Sequence, residues 1–402
     1  MRKIYLDNSA TTPVDKRVLS AMSKYWSNVF GNPSSIHSIG VEAKIALQYA
    51  RKTIADLIGG HDREIVFTSG GTEANNLAIF GLINSVRKEG RKYSDIHLIT
   101  TEIEHSSIYE CLKEIESRGS KIDYLKVDEF GMINPRDLRK MIKPETLLVS
   151  IGYANSEIGV IQPIKEIIKE IRHCRKEFSR AVLGGGRERV SMPYLHTDAS
   201  QAGLYLNMNV EELGVDLMTL DAQKMYGPKG IGALFVRDGI KIEPMMFGGG
   251  QEKGRRSGTE NIPLIVGFTK AFELARKVKN KENKRLIKIR NEFFDSVKKF
   301  VPNVIINGHL EARLPSNINI SVPGQDGEML VFRLDEAGII GSSSSACSSG
   351  NGESVVVRKI AEKTNASEKE VNDRAKSVLR FSMGKDTKIQ DIKKLLNFFK
   401  NL

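Results

Sequence analysis

Lys224 and Asp198 are the residues whose types and positions point most directly to chemistry. Lys224 lies between two runs of β-forming residues, 215–220 and 231–236, and is followed by a Gly-Pro-Lys-Gly turn. Asp198 follows a third apolar run, residues 194–197. Pyridoxal phosphate chemistry requires an amine that forms a Schiff base and a carboxylate that pairs with the pyridinium nitrogen. The two residues together therefore predict a pyridoxal phosphate site, whereas Lys224 alone would be a surface lysine in a turn.

A second motif could hold the phosphate of such a cofactor. Ser-Gly-Gly-Thr-Glu, residues 69–73, joins a predicted strand to a predicted helix. Glycines let the backbone approach a phosphate, and a helix N-terminus offers free N–H groups and a favourable dipole. We therefore expect Gly71 and Thr72 to bind phosphate. The alternative is an ordinary strand-to-helix turn that Thr72 caps.

Three further polar residues are predicted at strand ends near the same pocket. His105 lies just before a predicted helix and could cover the cofactor ring or carry a proton. Gln201, three residues after Asp198, and Asn155, which follows another predicted strand, could bind the phenolic oxygen of the cofactor. Each also has a structural interpretation, His105 near a helix cap and the two amides as stabilisers of loops.

Cys347 and Arg380 are the candidates for contact with a substrate. Cys347 lies in a polar Ser/Gly-rich segment, residues 341–352, which cannot bury it in a core. We expect this segment to be mobile and its thiol to act as a nucleophile. Arg380 lies in a short apolar strand, where a guanidinium requires a partner. That partner is either a substrate carboxylate, bound through two hydrogen bonds, or an acidic residue of the chain.

The elements that position these residues alternate between strand and helix from about residue 60 to 260. This alternation predicts an α/β fold with a mostly parallel sheet flanked by helices, and such sheets bind ligands at the carboxyl ends of their strands. A long helix and a smaller α+β part follow. The predicted strands are 64–69, 96–101, 147–153, 194–197, 215–220, 231–236 and 316–321, and the predicted helices are 72–84, 106–118, 263–300 and 389–399.

Composition excludes several other classes of protein. The chain has 402 residues, of which 40% are hydrophobic and 27% charged, as expected of a globular protein with two domains. Its three cysteines lack the spacing of a zinc site, and no apolar run reaches membrane-spanning length. The net charge of +12 is spread along helices with interleaved acids, so we expect no direct binding of nucleic acid. The N-terminus lacks a signal peptide's apolar region, which favours the cytoplasm.

Several motifs in the same order resemble the cysteine desulfurases, which are fold-type-I pyridoxal phosphate enzymes of the class-V aminotransferase group. The resemblance extends from residue 5 to about residue 385. The Ser-Ala-Cys-Ser-Ser-Gly context of Cys347 resembles the subgroup with a longer mobile cysteine loop. The motifs that carry it are residues 5–13, 31–37, 67–77, 155–159, 248–252 and 256–259.

The resemblance implies a role for each candidate. Lys224 holds the cofactor and moves the Cα proton of the substrate, while Cys347 attacks the substrate sulfur and leaves alanine and a persulfide. Arg380 binds the carboxylate of L-cysteine. The remaining residues contact the cofactor: Asp198 at the pyridine nitrogen, Gln201 and Asn155 around the ring oxygen and substrate, His105 on the ring, Thr72 at the phosphate, and Thr259 at the phosphate of a partner subunit in a homodimer.

The resemblance also implies a division of the chain. Residues 1–15 would pack with the small domain, residues 16–260 would form the large cofactor-binding domain, and residues 261–402 the small domain. Three residues depart from the family, which usually has Ser-Gly-His where this chain has Asp221, Ala222 and Gln223. Gln223 can still donate a hydrogen bond to phosphate, whereas Asp221 would repel it unless the carboxylate turns away or is bridged. Residues 183–191 look longer than the family requires.

Other functions remain open at this level. The same fold could carry a selenocysteine lyase or a transaminase, and a transaminase would not need Cys347. A non-catalytic scaffold that binds sulfur carriers is a third possibility. For an active desulfurase we expect the sulfur to pass to an iron–sulfur scaffold protein or to an enzyme of tRNA thiolation. No metal site is predicted from the chain itself.

Overall fold

The computed structural model describes residues 3–181, 192–343 and 352–402. Strands and helices alternate through the first two thirds, as predicted. The strands are β1 (Ile4–Tyr5), β2 (Ile65–Thr68), β3 (His97–Thr101), β4 (Lys121–Leu125), β5 (Thr146–Ser150), β6 (Tyr194–Asp198), β7 (Leu217–Asp221), β8 (Gly232–Val236), β9 (Ile305–Ile306), β10 (Asn317–Ser321), β11 (Ile339–Ile340) and β12 (Val378–Ser382).

The helices flank these strands. Most begin at a side chain that accepts a backbone N–H of the first turn, such as Asn261 before α8. They are α1 (Lys16–Ser23), α2 (Ser38–Ile58), α3 (Gly71–Lys88), α4 (Ser106–Ser117), α5 (Pro135–Met141), α6 (Ile164–Ala181), α7 (Val210–Leu213), α8 (Ile262–Phe300), α9 (Gly327–Glu336), α10 (Val355–Ala361), α11 (Glu368–Lys376) and α12 (Ile389–Lys400).

Within the described ranges, seven strands form the main sheet in the order β2-β8-β7-β6-β5-β3-β4. β8 runs antiparallel to both of its neighbours, and the pairs from β7 to β4 are parallel. The predicted mostly parallel α/β sheet is therefore confirmed. The strand predicted at residues 147–153 ends earlier, at Ser150, because the chain turns there and the N–H of Gly152 binds the carboxyl group of Glu104.

Both faces of the main sheet are buried because apolar residues alternate between two cores. One face packs against α3 and α4, and the opposite face against α2, α6 and α8. The residues that face α3 and α4 include Leu98, Leu148, Leu217 and Leu234, and their sequence neighbours on the other face are Ile99, Val149, Met218 and Phe235.

The last third of the chain builds a smaller antiparallel sheet, β12-β10-β9, over a separate core. Phe293 of α8, Phe381 of β12 and Phe399 of α12 meet edge to face in that core, with ring centroids 6.1–6.4 Å apart. The N-terminal strand β1 pairs with β11, so the first residues lie beside the end of the chain. The domain boundary at residue 260 stays a prediction.

Candidate active site

A cavity of about 330 Å³ lies at the carboxyl ends of the parallel strands. Residues far apart in sequence meet there because β3, β5, β6 and β7 all end at this edge of the sheet. Nine of the residues singled out from the sequence line it: Gly71, Thr72, His105, Asn155, Asp198, Gln201, Gln223, Lys224 and Arg380. Thr259 is exposed and does not line the cavity, and Cys347 lies outside the described residues.

Lys224 ends a short 3-10 turn that directly follows β7. Its Nζ donates to the carbonyl oxygens of Ser9 and Ala10, at 2.9 and 2.7 Å. Burial lowers the pKa of the Lys224 amine, an effect that the nearby carboxylate of Asp221 opposes. A lowered pKa increases the fraction of neutral amine, which is the form that attacks a carbonyl carbon.

Asp198 is fixed at the end of β6 by three hydrogen bonds. Asn75 donates to one carboxylate oxygen at 2.8 Å, and the backbone and hydroxyl of Ser200 donate to the other at 2.9 and 2.6 Å. Asn75 also donates to the hydroxyl of Ser107, while its own buried oxygen has no partner. Sequence reasoning did not single out Asn75, although it lies within the quoted motif 67–77. The side chain of Asp198 is therefore held in one orientation toward the cavity.

His196 lies two residues before Asp198 and is fully buried. Its ring nitrogens lie 2.9 Å from the hydroxyl of Ser150 and 3.1 Å from that of Thr219. Burial lowers the pKa of His196 to about 4, against the influence of Asp198. A neutral histidine beneath the cavity leaves the negative charge of Asp198 free to pair with a cation in the cavity.

His105, Asn155 and Gln201 line the cavity while making structural hydrogen bonds. His105 caps α4, with Nδ1 accepting the N–H of Ser107 at 3.1 Å, and its side chain is exposed. Asn155 donates to the carbonyl of Ile103 and accepts two N–H groups of its own loop. Gln201 donates to the carbonyl of Ser9 at 3.0 Å. These contacts match the structural interpretations given to all three residues, and each side chain still faces the cavity.

The N-terminus of α3 is occupied by acidic side chains. The N–H of Gly71 donates to the carboxylate of Asp221. Gln223 turns toward the same carboxylate and donates to it through its backbone and its amide group, both at 3.2 Å. Glu73 accepts the N–H of Ser69 at 2.6 Å. Two of the residues expected to bind a phosphate, Gly71 and Gln223, thus donate to a carboxylate of the chain itself.

Arg380 projects from β12 and is only 3% exposed. Its Nη2 donates to Asp7 at 2.9 Å, and its buried Nε has no hydrogen-bond partner. The predicted alternative of a structural ion pair is therefore present. A single acidic oxygen does not satisfy the guanidinium, which retains donors for another carboxylate.

Glu104 is a residue of this cavity that sequence reasoning missed. It accepts the hydroxyl of Thr101 at 2.7 Å and the N–H of Gly152 at 3.1 Å. Burial raises the pKa of Glu104 to about 7, and the hydrogen bonds only partly offset this shift. Its position directly before His105 was the available signal, but the raised pKa depends on packing that the sequence does not reveal.

The described part of the chain contains no cluster of three or more His, Cys, Asp or Glu side chains that could hold a metal ion. Cys111 and Cys174 are free and buried. None of the described helices is both long and apolar enough to cross a membrane. The polar groups that line the cavity include an amine, carboxyl groups, amides and a guanidinium.

Sequence comparison identifies relatives along nearly the whole chain. The family model described as Aminotransferase class-V matches residues 4–183 and 185–395. A cysteine desulfurase IscS of Dictyoglomus turgidum is 43% identical over 350 residues, which cover 87% of this chain and 83% of the relative. A cysteine desulfurase IscS of Methanosarcina thermophila is 42% identical and covers 87% of this chain and 81% of the relative.

Solved structures agree with these relatives. A NifS-like protein superposes with a TM-score of 0.87 at 31% identity, covering 99% of this chain and 98% of that chain. A structure described as SspA in complex with cysteine superposes with a TM-score of 0.75 at 32% identity, covering 94% and 98%. The resemblance drawn from the sequence motifs is thereby confirmed.

Proposed function

The chain belongs to the class-V aminotransferase family, and we propose that it is a cysteine desulfurase that uses pyridoxal phosphate. It removes sulfur from L-cysteine and leaves L-alanine and a persulfide on Cys347. The observation that carries this proposal is the meeting of Lys224, Asp198 and Arg380 in one cavity. The match to the family over nearly the full chain, and to relatives that are cysteine desulfurases, gives this function precedence over other reactions of the fold.

The ring end of the cavity fits the cofactor. Lys224 offers an amine with a lowered pKa, and Asp198 offers a carboxylate held by Asn75 and Ser200. The unpartnered oxygen of Asn75 and the unpartnered Nε of Arg380 are buried polar atoms for which a bound molecule would supply partners. When bound, pyridoxal phosphate supplies an electron sink for bonds at the Cα of the substrate.

Each residue then has a defined task around the cofactor. Lys224 would hold it through Nζ and move the Cα proton of the substrate, and Asp198 would pair with its ring nitrogen. His105 would cover its ring. Gln201 and Asn155 bind around the ring oxygen and the substrate. The residues assigned to the phosphate are Gly71, Thr72 and Gln223, with Thr259 contributed to the phosphate of a partner subunit.

Arg380 and Cys347 act on the substrate. Arg380 binds the carboxylate of L-cysteine through the donors that Asp7 leaves free. The Cys347 thiolate attacks the sulfur of the substrate, so that an S–S bond forms and the Cβ–S bond breaks. The electron pair of the broken bond stays with Cβ, which takes up a proton and becomes the methyl group of alanine. The outer sulfur of the Cys347 persulfide then passes to an acceptor.

The visible absorption of the purified protein, followed by assay of alanine and sulfide after addition of L-cysteine, tests this function. We expect absorption from the bound cofactor and formation of alanine, both lost in Lys224→Ala. The matched control is Lys229→Ala, which removes an exposed lysine of the neighbouring turn and should keep both signals. Absorption without alanine from L-cysteine would indicate another amino-acid substrate, and a protein that binds no added cofactor would support the scaffold role.

We also propose that the enzyme is a homodimer. Val41, Ile45 and Tyr49 recur every four residues on α2 and form an exposed apolar face, on which Ile45 is 60% and Tyr49 65% exposed. A charged pair between Arg51 of α2 and Glu252 anchors the segment that carries Thr259 to the same helix. A second copy of the chain would cover this face and bring Thr259 toward the cavity of its partner.

Light scattering coupled to size-exclusion chromatography tests the dimer. Ile45→Glu combined with Tyr49→Glu should shift the protein to a monomer, because two charges would be buried in the interface. Phe332→Glu, at a 65% exposed phenylalanine on α9, is the control and should leave the mass unchanged. A monomeric wild-type protein would contradict the proposal.

The acceptor of the persulfide sulfur is proposed to be a protein of iron–sulfur cluster assembly or of tRNA thiolation. The IscS names of the curated relatives favour the first of these roles. We place the reaction in the cytoplasm, where a cysteine thiol stays reduced. Transfer of labelled sulfur from the persulfide to an added scaffold protein, compared with transfer to an added tRNA sulfurtransferase, distinguishes the two acceptors.

A further inference from the structure

Asp221 occupies the position at the α3 N-terminus where a phosphate group would be expected. It is the last residue of β7, and its carboxylate accepts the N–H of Gly71, the first residue of α3. A Cβ atom placed on Gly71 would lie 2.9 Å from Oγ of Ser200 and 3.3 Å from Oδ2 of Asp221. The space beside this glycine is therefore already filled by side chains of the same chain, one of them a carboxylate.

The two acids at this helix terminus differ in their charge partners. Glu73 is paired with Arg256, whose Nε donates to it at 2.8 Å, and it does not line the cavity. Asp221 lines the cavity, and among the described residues it accepts hydrogen bonds only from neutral groups, Gly71 and Gln223. Burial raises the pKa of Asp221, and the charge of Lys224 opposes this shift.

The other charged groups that face the cavity would not neutralise Asp221 once the cofactor is bound. Those from the remaining elements are Glu104 and His105 before α4, Glu157 after β5, Asp198 at the end of β6 and Arg380 on β12. Arg380 is paired with Asp7. Lys224 is the cation close to Asp221, and in the proposed function it is engaged with the cofactor. A phosphate bound here would therefore face an ionised carboxylate.

Two acidic groups that share one site are harder to ionise together than either group is alone. A proton held by one of them relieves the repulsion between them. We propose that Asp221 takes up one proton from solvent when the phosphate of the cofactor binds, and donates that O–H to a phosphate oxygen. Cofactor binding by this chain is then coupled to one proton. This inference rests on the proposed function, since it assumes that the cavity holds pyridoxal phosphate.

Comparison of pyridoxal phosphate with pyridoxal isolates the phosphate. The contributions of Lys224, Asp198 and the pyridine nitrogen are common to the two ligands and cancel in the ratio of their affinities. Both dissociation constants would be measured by fluorescence titration from about pH 7 to about pH 9. This range lies above the second pKa of a phosphate monoester, which is about 6. In the wild type we expect the affinity of pyridoxal phosphate relative to pyridoxal to fall with pH, by up to about tenfold per unit.

The variant Asp221→Asn keeps the size of the side chain and can donate to phosphate without a proton from solvent. We expect it to abolish the pH dependence of the ratio and to bind pyridoxal phosphate at least about tenfold more tightly than the wild type at about pH 9. Its affinity for pyridoxal should stay as in the wild type. Asp221→Ser should give the same result, and serves if the asparagine variant does not fold.

Glu73→Gln is the matched control, because it removes an acid of the same helix terminus that has its own arginine. It should leave the pH dependence of the ratio unchanged. A ratio in the wild type that does not vary with pH overturns the inference, as does a pH dependence that persists in Asp221→Asn. Binding of neither ligand overturns the proposed function and this inference together, whereas binding of both with a constant ratio overturns the inference alone.

Discussion

Glu104 provides a quantitative test of the electrostatics of the cavity. Burial raises the pKa of its carboxyl group from 4.5 to about 7. Because the pKa is higher in the folded than in the unfolded protein, the stability that Glu104 contributes is fully present below about pH 4.5 and is lost as the pH rises through about 7. One pKa unit corresponds to about 1.4 kcal/mol, so the whole loss is about 3 kcal/mol.

Most of this loss falls within an accessible range of pH. Between about pH 5 and about pH 8 the wild type should lose about 2 kcal/mol of unfolding free energy through Glu104. Glu104→Gln removes the ionisation while its amide oxygen can still accept hydrogen bonds from Thr101 and Gly152. The unfolding free energy of the variant, measured relative to that of the wild type, should therefore rise by about 2 kcal/mol between the same two pH values.

The assay is urea unfolding of the cofactor-free protein at both pH values, with the midpoints compared at a common slope. Glu129→Gln, at an exposed position, controls for the loss of one negative charge. The reasoning would be refuted if the difference in unfolding free energy between Glu104→Gln and wild type were the same at both pH values. It would also be refuted if the wild type became more stable relative to the variant as the pH rises.

Two further predictions concern charged pairs. Arg380→Lys should raise the KM for L-cysteine by about 10- to 100-fold with a smaller change in kcat. The reason is that a lysine lacks the planar fork with which Arg380 can bind Asp7 and a substrate carboxylate together. Steady-state kinetics measure this effect, and an unchanged KM would contradict it. Glu252→Ala should destabilise the fold by about 3–5 kcal/mol, because Arg51 loses both of its hydrogen bonds to this buried carboxylate, at 2.7 and 2.5 Å. Thermal unfolding measures the change, with Glu243→Ala, at a half-buried surface ion pair, as the control. A decrease in Tm no larger than that of the control would contradict the prediction.

The sequence predicted the part of the site that depends on strand ends. Lys224 and Asp198 follow neighbouring strands, and parallel strands bring their carboxyl ends to one edge of a sheet. The pairing of Arg380 with Asp7 could not be predicted in the same way, because it joins residues 373 positions apart through the packing of the N-terminal segment on β12.

The sequence alone indicated that Asp221 is unusual but did not predict its hydrogen bonds. The departure from the family pattern was visible, whereas the position of its carboxylate on the N–H of Gly71 depends on the packing of β7 against α3. The raised pKa of Glu104 likewise comes from its burial, and the N–H of Gly152, 48 residues away in the chain, partly offsets the shift. Hydrogen-bond partners and burial that come from distant elements determine these properties, and the residue types alone do not.

In the proposed reaction, the cavity around Lys224 delivers the sulfur of L-cysteine to Cys347. Mass spectrometry of the protein after one turnover with L-cysteine tests it most directly, with alanine measured in the same sample. We predict that the peptide containing Cys347 gains one sulfur atom, that a reductant removes it, and that alanine forms in equal amount. Alanine formed without sulfur on Cys347, or in undiminished amount by Cys347→Ser, would contradict the account.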